Sequence, residues 1–183
     1  PSVPKGSIGV ASVLTDYREP LKRTLVRVLL QEGFQSVQVE GSKQGAPLKI
    51  EVLGKKIKQS IFRIGKWVPD KLSSGVRIVA SPGDVLRVNE QNFRGFLEAF
   101  INPLGIAVLV NEVELEDYLR SVVPLEMSPK SFNQIESLKA QAVAARSYAL
   151  AHLGRFSKMG FDVYRDERSQ VYGGSDSERE LSD

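Results

Sequence analysis

Two prolines, Pro124 and Pro129, enclose a single acidic residue, Glu126, and the most regular helical pattern in the chain begins just beyond them. Proline lacks an amide hydrogen and disfavours helix in the residue before it. Leu125 to Lys130 is therefore predicted to be a turn or loop that holds Glu126 between two helices. The first helix is expected from about Glu114 to Val123. Val113, Leu115, Tyr118, Leu119, Val122 and Val123 share one side, Glu116 and Arg120 form an i,i+4 pair, and Pro124 ends the element. The second is expected from about Asn133 to Arg155. Ser131 with Gln134, or Asn133 with Glu136, offers a capping box. Ile135, Leu138, Ala142, Ala145, Ala149 and Leu153 make an apolar stripe, and Lys139 and Arg146 project together two turns apart.

The chain ahead of the helices reads as strands. Leu25, Val26, Val28, Leu29 and Leu30 form a nearly continuous apolar run, while Ser36 to Glu40, Leu48 to Leu53 and Gly75 to Ala80 alternate apolar and polar residues. Phe93 to Phe100 and Gly105 to Val110 read as two strands joined at Asn102-Pro103. Ile8, Val10 and Val13 fit either an edge strand or a loose leader. The fold class is α+β: a β-rich N-terminal module of small antiparallel sheets, then a strand pair, a short helix and one long helix. A soft boundary in the Ser81 to Glu90 region separates residues 1–88 from residues 89–183. Residues 175–183 form a polar tail without a core-forming pattern, and the chain is read as cut before further strands. At the other end Pro1 stands without an initiator Met or a leader, which fits a processed or excised chain.

Composition removes several chemistries. With no cysteine there is neither a disulfide framework nor a thiolate site, and with one histidine, His152, a multi-histidine metal site is excluded. His152 itself reads as a surface residue suited to a helix C-terminus. Carboxylates remain as the catalytic groups. Residues 1–88 hold 15 Lys and Arg against 7 Asp and Glu, a net +8, whereas residues 89–183 hold 10 against 15, a net −5. A basic first half suits anionic polymers, yet its lysines on strands also serve as protection against edge pairing, and nucleic acid is not the expected partner. Trp67, the only tryptophan, reads as partly buried packing beside Pro69 ahead of a sugar-stacking platform. No apolar run approaches the length of a membrane helix.

The run N-E-V-E-L-E-D-Y-L-R-S-V-V-P-L-E-M from Asn111, the run S-L-K-A-Q-A-V-A-A-R-S-Y-A from Ser137 and S-Q-V-Y-G-G from Ser169 resemble, in order and spacing, the SpoIID/LytB family of sporulation proteins and amidase enhancers. Phe93-Arg94-Gly95 resembles the aromatic-Arg-Gly strand of that family, so the likeness covers Phe93 to Gly174. The resemblance implies a wall enzyme or wall regulator outside the cytoplasm. Its sporulation members are similar to lytic transglycosylases that cut peptide-stripped glycan with one glutamate, which here corresponds to Glu126. The enhancer branch implies instead a glycan-binding activator of a cell-wall amidase. Where some members place zinc-holding cysteines and a histidine, this chain has Tyr164, Arg168 and Ser169, so no metal or cofactor is expected.

Glycosidic cleavage needs a protonated acid at the leaving oxygen, and an acid that holds its proton near neutral pH is expected to sit among apolar neighbours, for which Leu125, Met127 and Phe132 are candidates. From spacing alone, Glu126 reads first as a dipole-stabilised surface carboxylate that caps or precedes the second helix, and the resemblance reverses that order. Lys139 and Arg146 suit the free lactyl carboxylates of a stripped glycan, while Arg146 could alternatively hold Glu126 or Asp117. Glu112, Glu114, Glu116 and Asp117 read as an acidic helix start. Tyr148, Gln170 and Tyr172 are candidates for sugar hydroxyl contacts, with core or ladder roles as the alternative.

Overall fold

The computed structural model describes residues 24–41, 46–80, 84–127 and 135–181, with side chains through 178. The readings of Ile8, Val10 and Val13, of the capping box and of Phe132 lie outside the described residues. The strands are β1 (Leu25–Glu32), β2 (Ser36–Gly41), β3 (Leu48–Leu53), β4 (Lys56–Arg63), β5 (Lys66–Ser73), β6 (Gly75–Val79), β7 (Leu86–Val88), β8 (Gln91–Phe93), β9 (Phe96–Ile101), β10 (Ala107–Glu114) and β11 (Val163–Tyr164). The helices are α1 (Leu115–Glu126) and α2 (Ile135–His152), followed by short 3-10 segments at Ser157–Met159 and Gly174–Leu181. The α+β class holds.

One sheet has the order β11-β1-β10-β9-β6 and the other β5-β4-β3-β2-β7-β8. Their inner faces share the main core: Val26, Val28, Leu97 and Leu109 from the first meet Val39, Leu48, Ile50 and Ile57 from the second. Leu29, Val108, Val110 and Phe161 form a smaller cluster on the other side of the first sheet. β10 is thus covered on both faces, which is why Ala107 through Val113 are all buried and why Ala107 to Val110 read as a continuous apolar run. The second sheet is built mostly from strands up to residue 88, with β8 added at its edge, while β1 and β6 pair with β10 and β9 in the first.

Several expectations needed correction. The strand expected from Phe93 to Phe100 is two strands in different sheets, and the chain crosses between them at Arg94-Gly95. Gly95 has φ +75°, and a Cβ there would lie 2.2 Å from the Glu112 carbonyl oxygen, so the crossing admits only glycine. The pair β4 and β5 went unread because Lys, Gln, Ser and Pro interrupt the alternation that marks a strand. Pro124 does not end α1. It sits in the last turn, where its missing amide costs only the bond to Arg120, an exposed residue, while the Met127 amide still reaches the Val123 carbonyl at 3.0 Å. Glu126 is accordingly the final residue of a helix, not part of a loop. α2 ends at His152, short of the expected Arg155, and buries only Ala145 and Ala149, with Ile135 and Leu153 exposed. The first residues of the polar tail are also held against the fold: Asp176 accepts hydrogen bonds from the Asn92 amide and Asn92 Nδ2, both at 2.8 Å, and Glu178 pairs with Arg94. Anchoring through carboxylates leaves no apolar pattern to read.

Candidate functional site

α1 follows β10 without a break, and its buried side carries Tyr118, Leu119, Ser121, Val122 and Val123. The segment Gln170 to Gly173 lies along that helix and is tied to it residue by residue. Tyr118 donates its hydroxyl to Gln170 Oε1 at 3.2 Å, the Val171 amide donates to Glu126 Oε1 at 2.8 Å, and the Gly173 amide donates to Ser121 Oγ at 3.0 Å. Between them Tyr172 turns inward, stacks on Tyr118 with ring centres 5.3 Å apart, and donates its hydroxyl to Asn111 Oδ1 at 2.7 Å. Asn111 Nδ2 donates to the Arg94 and Phe96 carbonyls at 2.8 and 2.9 Å, so the Phe93-Arg94-Gly95 crossing is held by the same network. Ser177 closes it, its hydroxyl 2.9 Å from that of Ser121.

Glycine serves this packing too. Gly174 has φ +74°, and a Cβ there would stand 2.2 Å from the Asn92 carbonyl oxygen. Burial pushes the Tyr118 and Tyr172 phenols well above their usual range, with the neighbouring Tyr148 and Glu126 adding to the effect on Tyr118. Both tyrosines are therefore neutral hydrogen-bond donors, not bases.

Glu126 itself is exposed, as is Leu125 at 40%. The expected apolar enclosure is absent among the described residues, because the end of α1 projects beyond the core that buries its earlier turns. One carboxylate oxygen is committed to Val171. Lys139 is exposed on α2 and pairs with Glu136 at 2.8 Å. Arg146 holds neither Glu126 nor Asp117: it grips Glu116 at the first turn of α1, at 3.2 and 2.7 Å. Glu116 and Glu126 are ten residues apart, roughly 15 Å along a helix. Tyr148 is half-buried and stacks on His152 with ring centres 3.9 Å apart, while His152 Nδ1 lies 2.7 Å from the Tyr148 carbonyl. Gln170 and Tyr172 are buried, in the arrangement of the core alternative.

The structure thus brings Glu126, Gln170 and Tyr172 onto one helix and one segment, and leaves Lys139 and Arg146 on α2 in ion pairs of their own. Glu112 is not an acidic helix start. It lies in β10, buried, and with Glu98 it receives both Arg27 and Arg77. Arg27 reaches each carboxylate at 2.5 Å, and Arg77 reaches Glu98 at 2.9 Å. Sequence reasoning missed this quartet because its partners come from four strands. Ser121 and Asn111 were missed as well, although both fall inside the motifs that carry the family likeness.

No solved structure gives a significant match to this chain. Over 100 residues it is 42% identical to an uncharacterised protein of Brachyspira hyodysenteriae, an alignment that covers 54% of this chain and 26% of that protein. The chain therefore spans only about a quarter of that relative's length. Residues 105–183 match the family model SpoIID, described as stage II sporulation protein. That stretch contains α1, α2 and the Gln170 to Gly174 segment, and over it the chain is similar to the SpoIID family.

Proposed function

We propose that this protein cleaves the glycan strands of peptidoglycan as a lytic transglycosylase, with Glu126 as its single acid and base. The match of residues 105–183 to the SpoIID family model supports a cell-wall-related role. The observation that carries the finer reading is the placement of Glu126: it stands exposed at the end of a helix whose orientation is fixed by the Gln170 to Gly173 segment, with one oxygen held by Val171. A carboxyl so oriented can approach a glycosidic oxygen from solvent.

In the proposed reaction the Glu126 carboxyl gives its proton to the leaving oxygen as the bond from that oxygen to C1 of the muramic residue breaks. The 6-hydroxyl of the same muramic residue then attacks C1 and returns its proton to the Glu126 carboxylate. A 1,6-anhydro ring results, and no second carboxylate is consumed. Lys139 and Arg146 are proposed to meet free lactyl carboxylates, Arg146 by exchanging its exposed contact with Glu116 for a substrate carboxylate. Tyr148 is proposed to offer its hydroxyl to a sugar, and Gln170 and Tyr172 to position the segment that holds Glu126. On this reading the protein works outside the cytoplasm, on glycan that a cell-wall amidase has stripped.

One observation favours a second reading. Because Glu126 and Arg146 are already engaged within the fold, the same surface also suits a glycan-binding activator of an amidase. Incubation with peptide-free glycan strands, followed by mass spectrometry for 1,6-anhydromuramic ends, separates the two. The transglycosylase reading expects such ends from the wild type and a loss of at least about a thousandfold in Glu126→Gln, in line with removal of an essential acid. If Glu126→Gln cleaves at the wild-type rate, Glu126 is not the acid. If no such ends form and an amidase is stimulated instead, the activator reading stands.

A further inference from the structure

We propose that the outward face of the β4–β5 hairpin is a docking surface for an anionic lipid bilayer. The inference is independent of the role given to Glu126.

Strand register fixes which residues share this face. Phe62 pairs with Trp67, Lys58 with Leu72 and Lys56 with Leu53, all on the side opposite Leu48, Ile50 and Ile57, which point into the core. A sheet that covers a core on one side normally presents polar residues on the other. Here the outer side carries Leu53 at 52% exposure, Leu72 at 51% and Phe62 at 38%, with Trp67 half-buried beside them. Phe62 and Trp67 lie next to the hairpin tip and Leu53 and Leu72 toward the other end of the same face, more apolar surface than the polar side of a sheet ordinarily shows.

The hairpin tip adds an independent sign. Ile64 is fully exposed and has φ 48°, followed by Gly65 at φ 73°. A two-residue turn of this kind is the place for Asn-Gly, and a β-branched residue there is strained. The strain secures no packing, because the side chain touches nothing that covers it. What it does is hold an aliphatic group at the furthest reach of the hairpin, an arrangement suited to insertion.

Charge names the occupant. Residues 48–73 carry seven Lys and Arg against two Asp and Glu, and one of those acids, Glu51, is already paired with Lys49 at 2.9 Å and Lys58 at 3.3 Å. Arg63 and Lys66 flank the aliphatic tip, Lys49, Lys56 and Lys58 share the outer face by register, and with an amphipathic Trp they match an anionic headgroup layer above acyl chains. The aliphatic groups offer nothing to sugar hydroxyls. Phe62 and Trp67 pack edge to face, 65° apart, and so do not form a parallel pair of platforms for stacked bases. Among the described residues no helix is long and apolar enough to cross a membrane, so the contact proposed is peripheral.

Trp67 is the only tryptophan and therefore reports on this face directly. Its fluorescence is followed while the full chain is titrated with vesicles of equal parts phosphatidylcholine and phosphatidylglycerol. A blue shift with rising intensity is expected, quenched by brominated acyl chains, reversed by salt and absent with phosphatidylcholine alone. The double variant Lys56→Glu/Lys66→Glu should weaken partitioning by at least about tenfold. Ile64→Asn should weaken it several-fold while leaving the Tm equal or higher, because Asn tolerates the turn geometry. No shift with anionic vesicles overturns the proposal. So does a shift produced by peptide-free glycan strands or single-stranded DNA but not by vesicles, or undiminished partitioning in Ile64→Asn with a lowered Tm.

Discussion

The outer faces of the two sheets reverse what each should carry. On the first sheet, the side away from the main core is covered by Phe156, Phe161 and Tyr164, and there the protein keeps four charges, Arg27, Arg77, Glu98 and Glu112. On the second sheet the side away from the core is open, and there it shows Leu53, Phe62, Trp67 and Leu72. The difference lies in what each group can find as a partner. The charges tolerate partial burial because each carboxylate receives two guanidinium groups, and Arg27 Nε also donates to the Gly160 carbonyl at 2.8 Å. The exposed apolar groups find only one another within the described residues, Phe62 packing edge to face on Trp67, so they cost the fold little and keep surface for contact outside it.

The sharpest way to break this contrast is to remove one charge from the covered face. Glu112→Gln leaves Arg27 and Arg77 short of a counter-charge, and unfolding in urea should show a loss of about 3 kcal/mol, with partial exposure of the four side chains keeping it near the low end for a buried pair. A loss below ~0.5 kcal/mol would mean that the covered face is stabilised by its apolar cluster alone. A smaller loss, about 1–2 kcal/mol, is expected of Tyr172→Phe, which leaves Asn111 Oδ1 without its donor.

That variant also sharpens an alkaline prediction. Burial raises the Tyr118 and Tyr172 pKa above the ordinary 10.0, so above that pH the unfolded chain sheds protons that the native protein keeps. Their stabilising contribution is fully present below pH 10 and falls as pH rises beyond it, with a limiting slope of roughly 2.7 kcal/mol per pH unit for two protons. Tyr172→Phe should halve that slope in urea titrations repeated at successive alkaline pH values. The smallest effect belongs to the open face: Phe62→Ser should shift stability by less than about 1 kcal/mol, since its ring is partly in water already. A larger loss would show that the hairpin face is packing rather than surface.

Much of the fold was legible where one local signal decided it. The alternation of Leu48 to Leu53 matched β3 to the residue, and the apolar run at Leu25 marked β1. Signals failed where local rules compete with position. Pro124 reads as a stop, but in the last turn of α1 it removes only a bond that water can replace at Arg120. Gly95 reads as part of a strand and is a crossing between sheets, because only the approach of the Glu112 carbonyl demands glycine there. Within the candidate site, the motif residues Glu126, Gln170 and Tyr172 were visible. Their geometry was not, since hydrogen bonds from Val171 to Glu126 and from Tyr172 to Asn111 join positions 45 and 61 residues apart. Ser121 lay inside the motif run but carried no signal from periodicity, as a lone serine on the buried side of a helix.

The sequence by itself determined the class of the fold, the two helices behind Asn111, the likeness of residues 105–183 to the SpoIID family and the prominence of Glu126. Those features follow from periodicity and motif order, which are written within a few turns or strands of chain. Only the tertiary structure decided that Glu126 ends a helix in the open, that Arg146 grips Glu116, that four charges meet on one covered face and that Trp67 and Ile64 stand on an open one. Each of those depends on which side of a sheet or helix another element covers, and coverage is a property of packing between distant segments.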